Sequence, residues 1–377
     1  MVLVIVLVVL VIASVLFHFM SPWYLTPIAS NWGMIDDTLT ITFVVCGFVF
    51  VVINLFMAYA IYKYRYRKDR RAQYEPENKK LEWWLTAFTT VGVIAMLAPG
   101  LFVWAKYVDV PEDAMLVEAV GQQWRWTYRY PGADGVLGTV DTRNINATNP
   151  FGLNPDDPNG QDDILVSGPE VHLPIGGPVK MLLRSKDVLH DFYVPQIRSK
   201  MDLVPGMITY FWFTPTKIGE FDVLCAELCG SGHYNMRSRM VVEEEADFQA
   251  WLQTQPTFAQ MLAGTGSASG GSLVEQGEQL ARDQGCIACH TLDGGAGVGP
   301  TWKGMVGKTE TLIDGSSVLV DDGYLKESIV NPNAKVVKGY APIMPPAQLT
   351  DDQLDALVAY LKSASGCSGL VFKSLNT

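Results

Sequence analysis

Cys225-Ala-Glu-Leu-Cys229-Gly-Ser-Gly-His233-Tyr-Asn-Met236 places two thiols, an imidazole and a thioether within twelve residues. Soft sulfur ligands combined with imidazole select copper. A Cys-x3-Cys segment on a loop between two strands brings both sulfurs to one point, so this stretch predicts a metal site in a β-domain. A further candidate imidazole, His190, lies 35 residues before Cys225.

Two other interpretations of this stretch are open on the residues alone. Two cysteines four positions apart can form a disulfide in an oxidising compartment, and two cysteines with two histidines can bind structural zinc. Copper is favoured because Met236 follows His233 by three residues and because His190 has its own Asp-Val-Leu-His setting.

A second motif, Cys286-Ile-Ala-Cys289-His290, is the attachment signature of a c-type haem. Its cysteines form thioether bonds and its histidine is an axial iron ligand. A redox-active dithiol is the alternative interpretation of this cysteine spacing. Met344, on a proline-flanked segment 54 residues past His290, is the predicted second axial ligand, and Met305 is its rival. Copper and haem in series predict one-electron transfer, and neither motif has the character of a hydrolytic site.

The N-terminal sequence has the composition of a membrane anchor. Residues 1–62 contain no Lys or Arg and are largely Val, Ile, Leu, Phe and Met. The stretches 2–19, 41–62 and 84–105 are long enough for transmembrane helices, which need about 20 apolar residues. The first stretch is expected to be a retained helix. A cleaved secretory signal is the alternative, although a basic start and an Ala-x-Ala site are absent.

Charge predicts the orientation of this anchor. The loop 63–80 carries eight basic and three acidic residues, so the positive-inside rule places it in the cytoplasm. Everything after residue 106 is then exported to the periplasmic or outer side of a bacterial plasma membrane. Acidic residues outnumber basic ones by 21 to 11 over 108–260 and by 12 to 8 over 273–377. A basic partner protein would be attracted to this surface, and no nucleic-acid partner is expected.

The exported part divides at a Gly- and Ser-rich stretch that has the composition of a flexible linker. Short alternating runs before it, such as 115–120, 179–184 and 207–213, predict a β-sandwich or barrel. Helical patterns at 273–284 and 350–363 predict a helical domain after it. The expected layout is a membrane anchor over residues 1–107, a β-domain over 108–260, a linker over 261–272 and a haem domain over 273–377.

Together these segments resemble subunit II of the haem-copper cytochrome c oxidases. The resemblance covers residues 35–245 and rests on Lys186-Asp-Val-Leu-His190, the Cys-x-Glu-x-Cys-x3-His-x2-Met run and the aromatic string Gln123-Trp-Arg-Trp-Thr-Tyr-Arg-Tyr130. Residues 273–365 resemble the cytochrome c that is tethered to this subunit in some bacteria. The resemblance implies a cupredoxin-like β-sandwich with a dinuclear copper centre, followed by an all-α cytochrome c domain.

The resemblance also implies a role for each candidate ligand. Cys225 and Cys229 would bridge two coppers, His190 and His233 would each bind one, Met236 would be a weak ligand, and Glu227 would contribute its backbone carbonyl. The carboxylate of Glu227 would in addition reach a magnesium or manganese ion shared with subunit I.

Three further residues gain expectations from the resemblance. Trp124 matches the aromatic residue through which electrons enter the copper centre, and a tryptophan of the sandwich core is the alternative. Arg125 stands where the family usually has an aromatic residue. Glu82 matches a carboxylate near the mouth of a proton pathway into subunit I, and an interfacial charge capping its helix is the alternative.

The number of histidines excludes oxygen chemistry on this chain. Only His18 and His172 remain of the five histidines, too few for the haems and third copper that reduce oxygen in this superfamily. We therefore expect the subunit at which electrons enter a respiratory terminal oxidase. The intact Cys225, Cys229 and Cys286 exclude a quinol oxidase subunit, and a membrane-anchored haem and copper carrier serving a different reductase is the alternative.

The expected electron path starts at cytochrome c or another donor. It passes through the covalent haem and the dinuclear copper to a haem in subunit I, where oxygen is reduced to water. The expected partners are this donor, oxidase subunits I and III, and the lipid bilayer.

Overall fold

The computed structural model describes residues 1–21, 26–71, 76–146, 149, 151–166, 168–263 and 272–366. The chain forms two compact units, residues 1–110 and 111–377. Most of the predicted linker lies outside the described residues, as does the tail with Cys367, for which the sequence suggests no role.

The first unit consists of three long helices, α1 (Val2–Met20), α2 (Gly33–Lys63) and α3 (Lys79–Val108). α1 packs against α2, and α2 packs against α3. The rings of Trp32, just before α2, and Tyr107, near the end of α3, lie 5.3 Å apart. α2 and α3 are therefore antiparallel.

These helices expose apolar side chains as a lipid-embedded segment does. All three are long and apolar enough to cross a membrane, and Phe43, Phe56 and Phe88 are each more than 60 % exposed. A helix that is apolar all round suits the bilayer. The prediction of three apolar helices is confirmed, and the chain is membrane-anchored. α2 and α3 exceed the predicted bounds because their helices continue into flanking polar residues.

The second unit begins with a β-sandwich of two five-stranded sheets. The strands are β1 (Met115–Gln122), β2 (Arg125–Tyr130), β3 (Ile164–Val166), β4 (Glu170–Pro174), β5 (Val179–Ser185), β6 (His190–Val194), β7 (Ser199–Leu203), β8 (Thr209–Phe213), β9 (Gly219–Cys225) and β10 (Arg237–Glu243). The sheet orders are β3-β2-β1-β5-β8 and β4-β10-β9-β6-β7. β1 pairs with β5 and β4 pairs with β10 in parallel, and the other pairs are antiparallel.

Alternating side chains fill the space between the two sheets. Val117 and Ala119 of β1 are fully buried, and so are Met181 and Leu183 of β5. This period of two is the one by which successive strand residues point to opposite faces. The predicted strands at 115–120, 179–184 and 207–213 are thus present, and the cupredoxin-like sandwich is confirmed.

A buried ion network holds the strands beside the first hairpin. Glu118 accepts hydrogen bonds from Arg129 Nε at 2.9 Å and from Arg184 Nε at 3.2 Å. Arg129 Nη1 also donates to Asp163 Oδ2 at 2.8 Å. Buried charges are tolerated when they are paired in this way. The network fixes β1, β2 and β5, and with them the turn between β1 and β2.

Helices complete the second unit. α4 (Glu245–Leu252) and α5 (Phe258–Leu262) follow the sandwich, and after the linker come α6 (Leu273–Asp283), the hairpin β11 (Thr309–Thr311) and β12 (Ser317–Leu319), α7 (Asp322–Val330) and α8 (Asp351–Gly366). α6 and α8 approach most closely at Gly277, which has no room for a Cβ beside the Ala356 carbonyl. The predicted helical domain is confirmed, with a small hairpin that the sequence patterns did not indicate.

Candidate metal centres

The residues predicted to bind copper meet at one end of the sandwich. β6 begins at His190, and its antiparallel neighbour β9 ends at Cys225. The start of one strand therefore lies beside the end of the other, and Phe192 is the register partner of Cys225. The loop 226–236 between β9 and β10, called the ligand loop below, carries Cys229, His233 and Met236.

Two thiol sulfurs occupy the centre of this cluster. Cys225 Sγ lies 3.7 Å from Cys229 Sγ. Cys225 Sγ is 3.9 Å from His190 Nδ1, and Cys229 Sγ is 3.6 Å from His233 Nδ1. Each sulfur thus faces one imidazole nitrogen.

Two weaker donors complete the cluster. Met236 Sδ lies 3.8 Å from Cys229 Sγ, and the backbone carbonyl oxygen of Glu227 lies 3.2 Å from Cys225 Sγ. His190, Cys229 and Met236 are each at most 2 % exposed. All six predicted copper donors are therefore brought together, with His233 and Glu227 on the partly exposed side of the site.

This arrangement bears on the two alternatives to copper. Cys225 and Cys229 are both free, and their sulfurs are much farther apart than the roughly 2.05 Å of a disulfide bond. Four donors suffice for structural zinc, whereas a thioether and a carbonyl also converge here. The donor set fits a pair of copper ions.

Asp187 fixes the orientation of His190. Asp187 Oδ1 lies 2.8 Å from His190 Nε2, and Oδ2 accepts a hydrogen bond from the Gln123 backbone N–H at 2.7 Å. Because an ionised carboxylate only accepts, Nε2 carries the proton and Nδ1 presents its lone pair to the sulfurs. Burial lowers the pKa of His190, but its hydrogen bonds to Asp187 and Cys225 outweigh burial and raise that pKa overall.

The two thiols are electrostatically unequal before any metal binds. The hydrogen bond between them lowers the pKa of Cys225 and raises the pKa of Cys229, since both cannot ionise at this separation. Thiolate is the form of cysteine that binds metals. Cys225 is therefore the more readily ionised of the two thiols.

Trp124 lies directly on the ligand loop. Its Nε1 donates to the carbonyl oxygen of Cys229 at 3.2 Å, and Gln123 Nε2 donates to the same oxygen at 2.7 Å. Its ring packs on Gly232 so closely that a Cβ at that position has no room. Trp124 is 8 % exposed. It is buried like a core residue, yet it contacts the backbone of a predicted copper ligand.

The haem-attachment residues line a cavity of about 1750 Å³. The cavity also extends along residues of the sandwich such as Trp124 and Trp251, and its volume leaves room for a macrocycle. The four residues predicted for the haem and the rival Met305 lie on its wall: Cys286, Cys289, His290, Met344 and Met305. The cavity therefore fits a covalent haem.

His290 is held in the orientation that an iron ligand needs. Its Nδ1 donates to the Pro300 carbonyl oxygen at 2.7 Å, and its ring stacks on Trp302 with centroids 5.2 Å apart. The proton on Nδ1 leaves the lone pair on Nε2 for the metal. Burial lowers the pKa of His290 and favours the neutral imidazole that binds iron.

The environment of the two cysteines disfavours a redox dithiol. Burial raises the pKa of Cys286 to about 11 and also raises the pKa of Cys289. Reactive Cys-x-x-Cys motifs depend on a lowered thiol pKa. Attachment of haem is the better interpretation of this motif.

The two candidate axial methionines differ in their packing. Met305 packs against the core of the helical domain, which includes Trp302, Leu325 and Leu357. Met344 is half-buried and lies on the cavity wall between prolines. The choice of Met344 over Met305 stays a prediction, and the packing role of Met305 supports it.

Glu82 lies in the first turn of α3. Asn78, rather than Glu82, caps this helix, because Asn78 Oδ1 accepts from the Leu81 N–H at 3.0 Å. An acidic residue at a helix N-terminus is stabilised by the helix dipole. Glu82 is exposed, and its proton role stays a prediction.

Both halves of the second unit match known protein families. Residues 115–244 match the family "Cytochrome C oxidase subunit II, periplasmic domain", and residues 274–365 match "Cytochrome c". The chain is 61 % identical over 254 residues to the alternative cytochrome c oxidase subunit 2 of Bradyrhizobium diazoefficiens, with 67 % of this chain and 92 % of the relative covered.

The chain also shows two more distant likenesses. Cytochrome c oxidase subunit 2 of Alkalihalophilus pseudofirmus is 24 % identical over 338 residues, covering 87 % of this chain and 86 % of the relative. The periplasmic domain of cytochrome oxidase subunit II of Bradyrhizobium japonicum is 27 % identical, covers 39 % of this chain and 96 % of that domain, and superposes with a TM-score of 0.29. The assignment therefore rests on sequence. The two families imply binding of copper and of haem c, and the chain belongs to the cytochrome c oxidase subunit 2 family, in a form that carries a cytochrome c domain.

Proposed function

We propose that this electron-transfer subunit of an oxidase receives electrons at its haem domain, residues 273–366. They pass through the copper site of the sandwich to a haem of subunit I, where oxygen is reduced to water. The observation that carries this proposal is a close approach of the two domains. Gly285, directly before Cys286, lies beside the backbone of Trp124, and Trp124 contacts the proposed copper ligand Cys229. When bound, the haem and the copper pair each supply a one-electron couple.

In this proposal the sandwich holds the copper ligands rigidly. Cys225 and Cys229 would hold both ions, His190 and His233 would each bind one, and Met236 and the Glu227 carbonyl would be weaker ligands. Strand pairing fixes His190 beside Cys225, and the carboxylate of Asp187 fixes the ring of His190. Little rearrangement of the polypeptide is then needed when the charge of the site changes.

The helical domain holds the haem by the same kind of local support. Cys286 and Cys289 would form the thioether bonds, and His290 and Met344 would bind the iron. The hydrogen bond from His290 to Pro300 and the stacking on Trp302 keep the imidazole in place. The polypeptide therefore sets the orientation of the haem before any partner binds.

Two acidic residues are proposed to act at the boundary with subunit I. The carbonyl of Glu227 faces Cys225, whereas its side chain is half-buried at the rim of the sandwich. We assign to this carboxylate a magnesium or manganese ion shared with subunit I. Glu82 would lie at the mouth of a proton pathway into the same subunit.

The surroundings of the chain follow from its charge pattern. The basic loop 63–80 would lie in the cytoplasm, and the helices of the anchor, residues 1–107, would cross the inner membrane of a bacterium. The sandwich, residues 108–260, the linker, residues 261–272, and the haem domain would lie outside. Subunit III and a cytochrome c or other donor are the remaining proposed partners.

The order of reduction tests this function. When the oxidised oxidase is mixed rapidly with its reduced donor, the haem absorbance should change first. The copper absorbance should follow at a rate that becomes independent of donor concentration, because this transfer occurs within one chain. Copper reduction that precedes haem reduction and scales with donor concentration would contradict the proposal.

A further inference from the structure

The haem-attachment loop, residues 285–290, lies on the turn between β1 and β2. Gly285 has a φ of 70°, and a Cβ placed on it would lie 3.6 Å from the Trp124 carbonyl oxygen and 3.5 Å from Arg125 Cβ. Gly285 directly precedes Cys286 in the chain. The backbone that carries the haem is therefore in contact with the tryptophan that contacts Cys229.

Arg125 joins the two domains through its guanidinium group. Its Nη1 donates to the carbonyl oxygen of Asp283 at 2.9 Å, and its Nη2 donates to Gln122 Oε1 at 3.2 Å. Asp283 is the last residue of α6, so its carbonyl is among the four that a helix leaves without an internal partner. The C-terminus of a helix carries partial negative charge and favours a cation. The arginine thus both satisfies the end of α6 and fits its charge.

A second hydrogen bond holds the same loop from the copper side. Asn235 Nδ2 donates to the carbonyl oxygen of Ala288, which lies between the two haem-attachment cysteines. Asn235 belongs to the ligand loop and directly precedes Met236. Two hydrogen bonds therefore hold the haem-attachment loop, one from Arg125 to Asp283, two residues before the loop, and one from Asn235 to Ala288 within it.

We propose that Arg125 is a positioning residue that locks the haem-attachment loop of this chain onto the β1–β2 turn, so that electrons leave the haem domain next to Trp124. This inference rests on the proposed function, in which the haem domain supplies the copper site. One electron leaves the reduced iron and is taken up by the oxidised copper pair, with no bond broken and no proton moved. Electron tunnelling weakens steeply with distance, so a fixed contact transfers faster than a domain that is only tethered.

Arg125→Gln in the full chain, within its oxidase complex, tests the lock. Amide hydrogen exchange over residues 283–290 should become about tenfold faster, because this segment would open more often. After photoreduction of the haem, transfer to copper should slow by roughly 10- to 100-fold, as expected for misplaced reaction partners. Both reduction potentials and both absorption spectra should stay unchanged, which a general structural defect would not allow.

The controls separate the lock from charge and from folding. Arg125→Lys should show smaller changes in amide exchange and in transfer rate than Arg125→Gln. Arg143→Gln should behave as the wild type, because Arg143 is exposed and pairs with Asp141. If the Arg125→Gln protein loses the copper spectrum, the Gln122→Ala variant is measured instead. Amide hydrogen exchange over residues 283–290 should again be faster than in the wild type. Wild-type exchange and a wild-type transfer rate in Arg125→Gln, or in Gln122→Ala where it takes the place of Arg125→Gln, would overturn the lock.

Failure of the lock and failure of the proposed function give different results. If the wild type itself transferred no electrons from haem to copper, the proposed function would be wrong. The amide exchange comparison would still decide whether Arg125 fixes the loop, because it does not depend on electron transfer.

Discussion

Cys225→Ser should remove the copper centre and stop electron transfer to subunit I. Cys225 is the sulfur that faces His190 Nδ1, Cys229 Sγ and the Glu227 carbonyl, so its loss affects both sides of the donor set. A serine hydroxyl is a hard, neutral donor and does not replace a thiolate on copper. The fall in turnover should exceed the roughly 10- to 100-fold loss that follows removal of an outer partner of a metal ligand.

The measurement is copper content by elemental analysis, together with turnover of the purified oxidase. Cys46→Ser is the matched control, since Cys46 lies in α2, in the first unit and not in the unit that holds the copper donors. It should keep both copper and activity. A Cys225→Ser oxidase that retained the spectrum of the dinuclear site and its turnover would remove Cys225 from the ligand set.

Deleting residues 273–377 should leave the copper site intact while turnover with the natural donor falls severely. The six copper donors lie between residues 190 and 236, and the sandwich strands end with β10 at Glu243. The donor would then have to meet Trp124 in solution, without a haem domain at an effective concentration in the mM range, an advantage of roughly 10²- to 10⁴-fold.

The copper spectrum and the rate of reduction by a small artificial donor serve as controls in the same preparation. Both should match those of the full-length protein, because the deletion touches no copper ligand. An oxidase that kept full turnover with its own donor after the deletion would show that electrons enter at the sandwich and that the cytochrome serves another purpose.

The copper donors were predictable because five of them lie on one short stretch. Cys225, Glu227, Cys229, His233 and Met236 fall within twelve consecutive residues, so spacing alone brings these predicted donors together. His190 was a candidate from the sequence, its role as a ligand came from the resemblance, and the pairing of β6 with β9 gives the physical reason for its place. The residues of the haem-attachment motif also lie on one short stretch of sequence, so this motif was predictable for the same reason.

The contacts that support these ligands were beyond sequence reasoning. Asp187 was noted as part of a motif, but its bond to His190 depends on how the chain enters β6. The contacts of Arg125 with Asp283 and of Asn235 with Ala288 join residues 158 and 53 positions apart. No periodic pattern encodes such pairs, because they exist only once two folded domains meet. A departure from the family at Arg125 was the one signal in the sequence.

Trp124 combines both interpretations that the sequence offered. It is buried, as a core tryptophan would be, and it packs on Gly232 of the ligand loop. Sequence reasoning treated the two roles as alternatives, whereas a residue at the end of a sandwich can fill both. Its role in electron entry stays a prediction.

The metal and haem content of the full chain tests the central claim most directly. Purified within its oxidase complex, the chain should carry two coppers and one covalent haem, with one unpaired electron shared by both coppers in the oxidised state. A preparation that is active but contains zinc in place of copper, with Cys225 and Cys229 joined as a disulfide, would contradict this account.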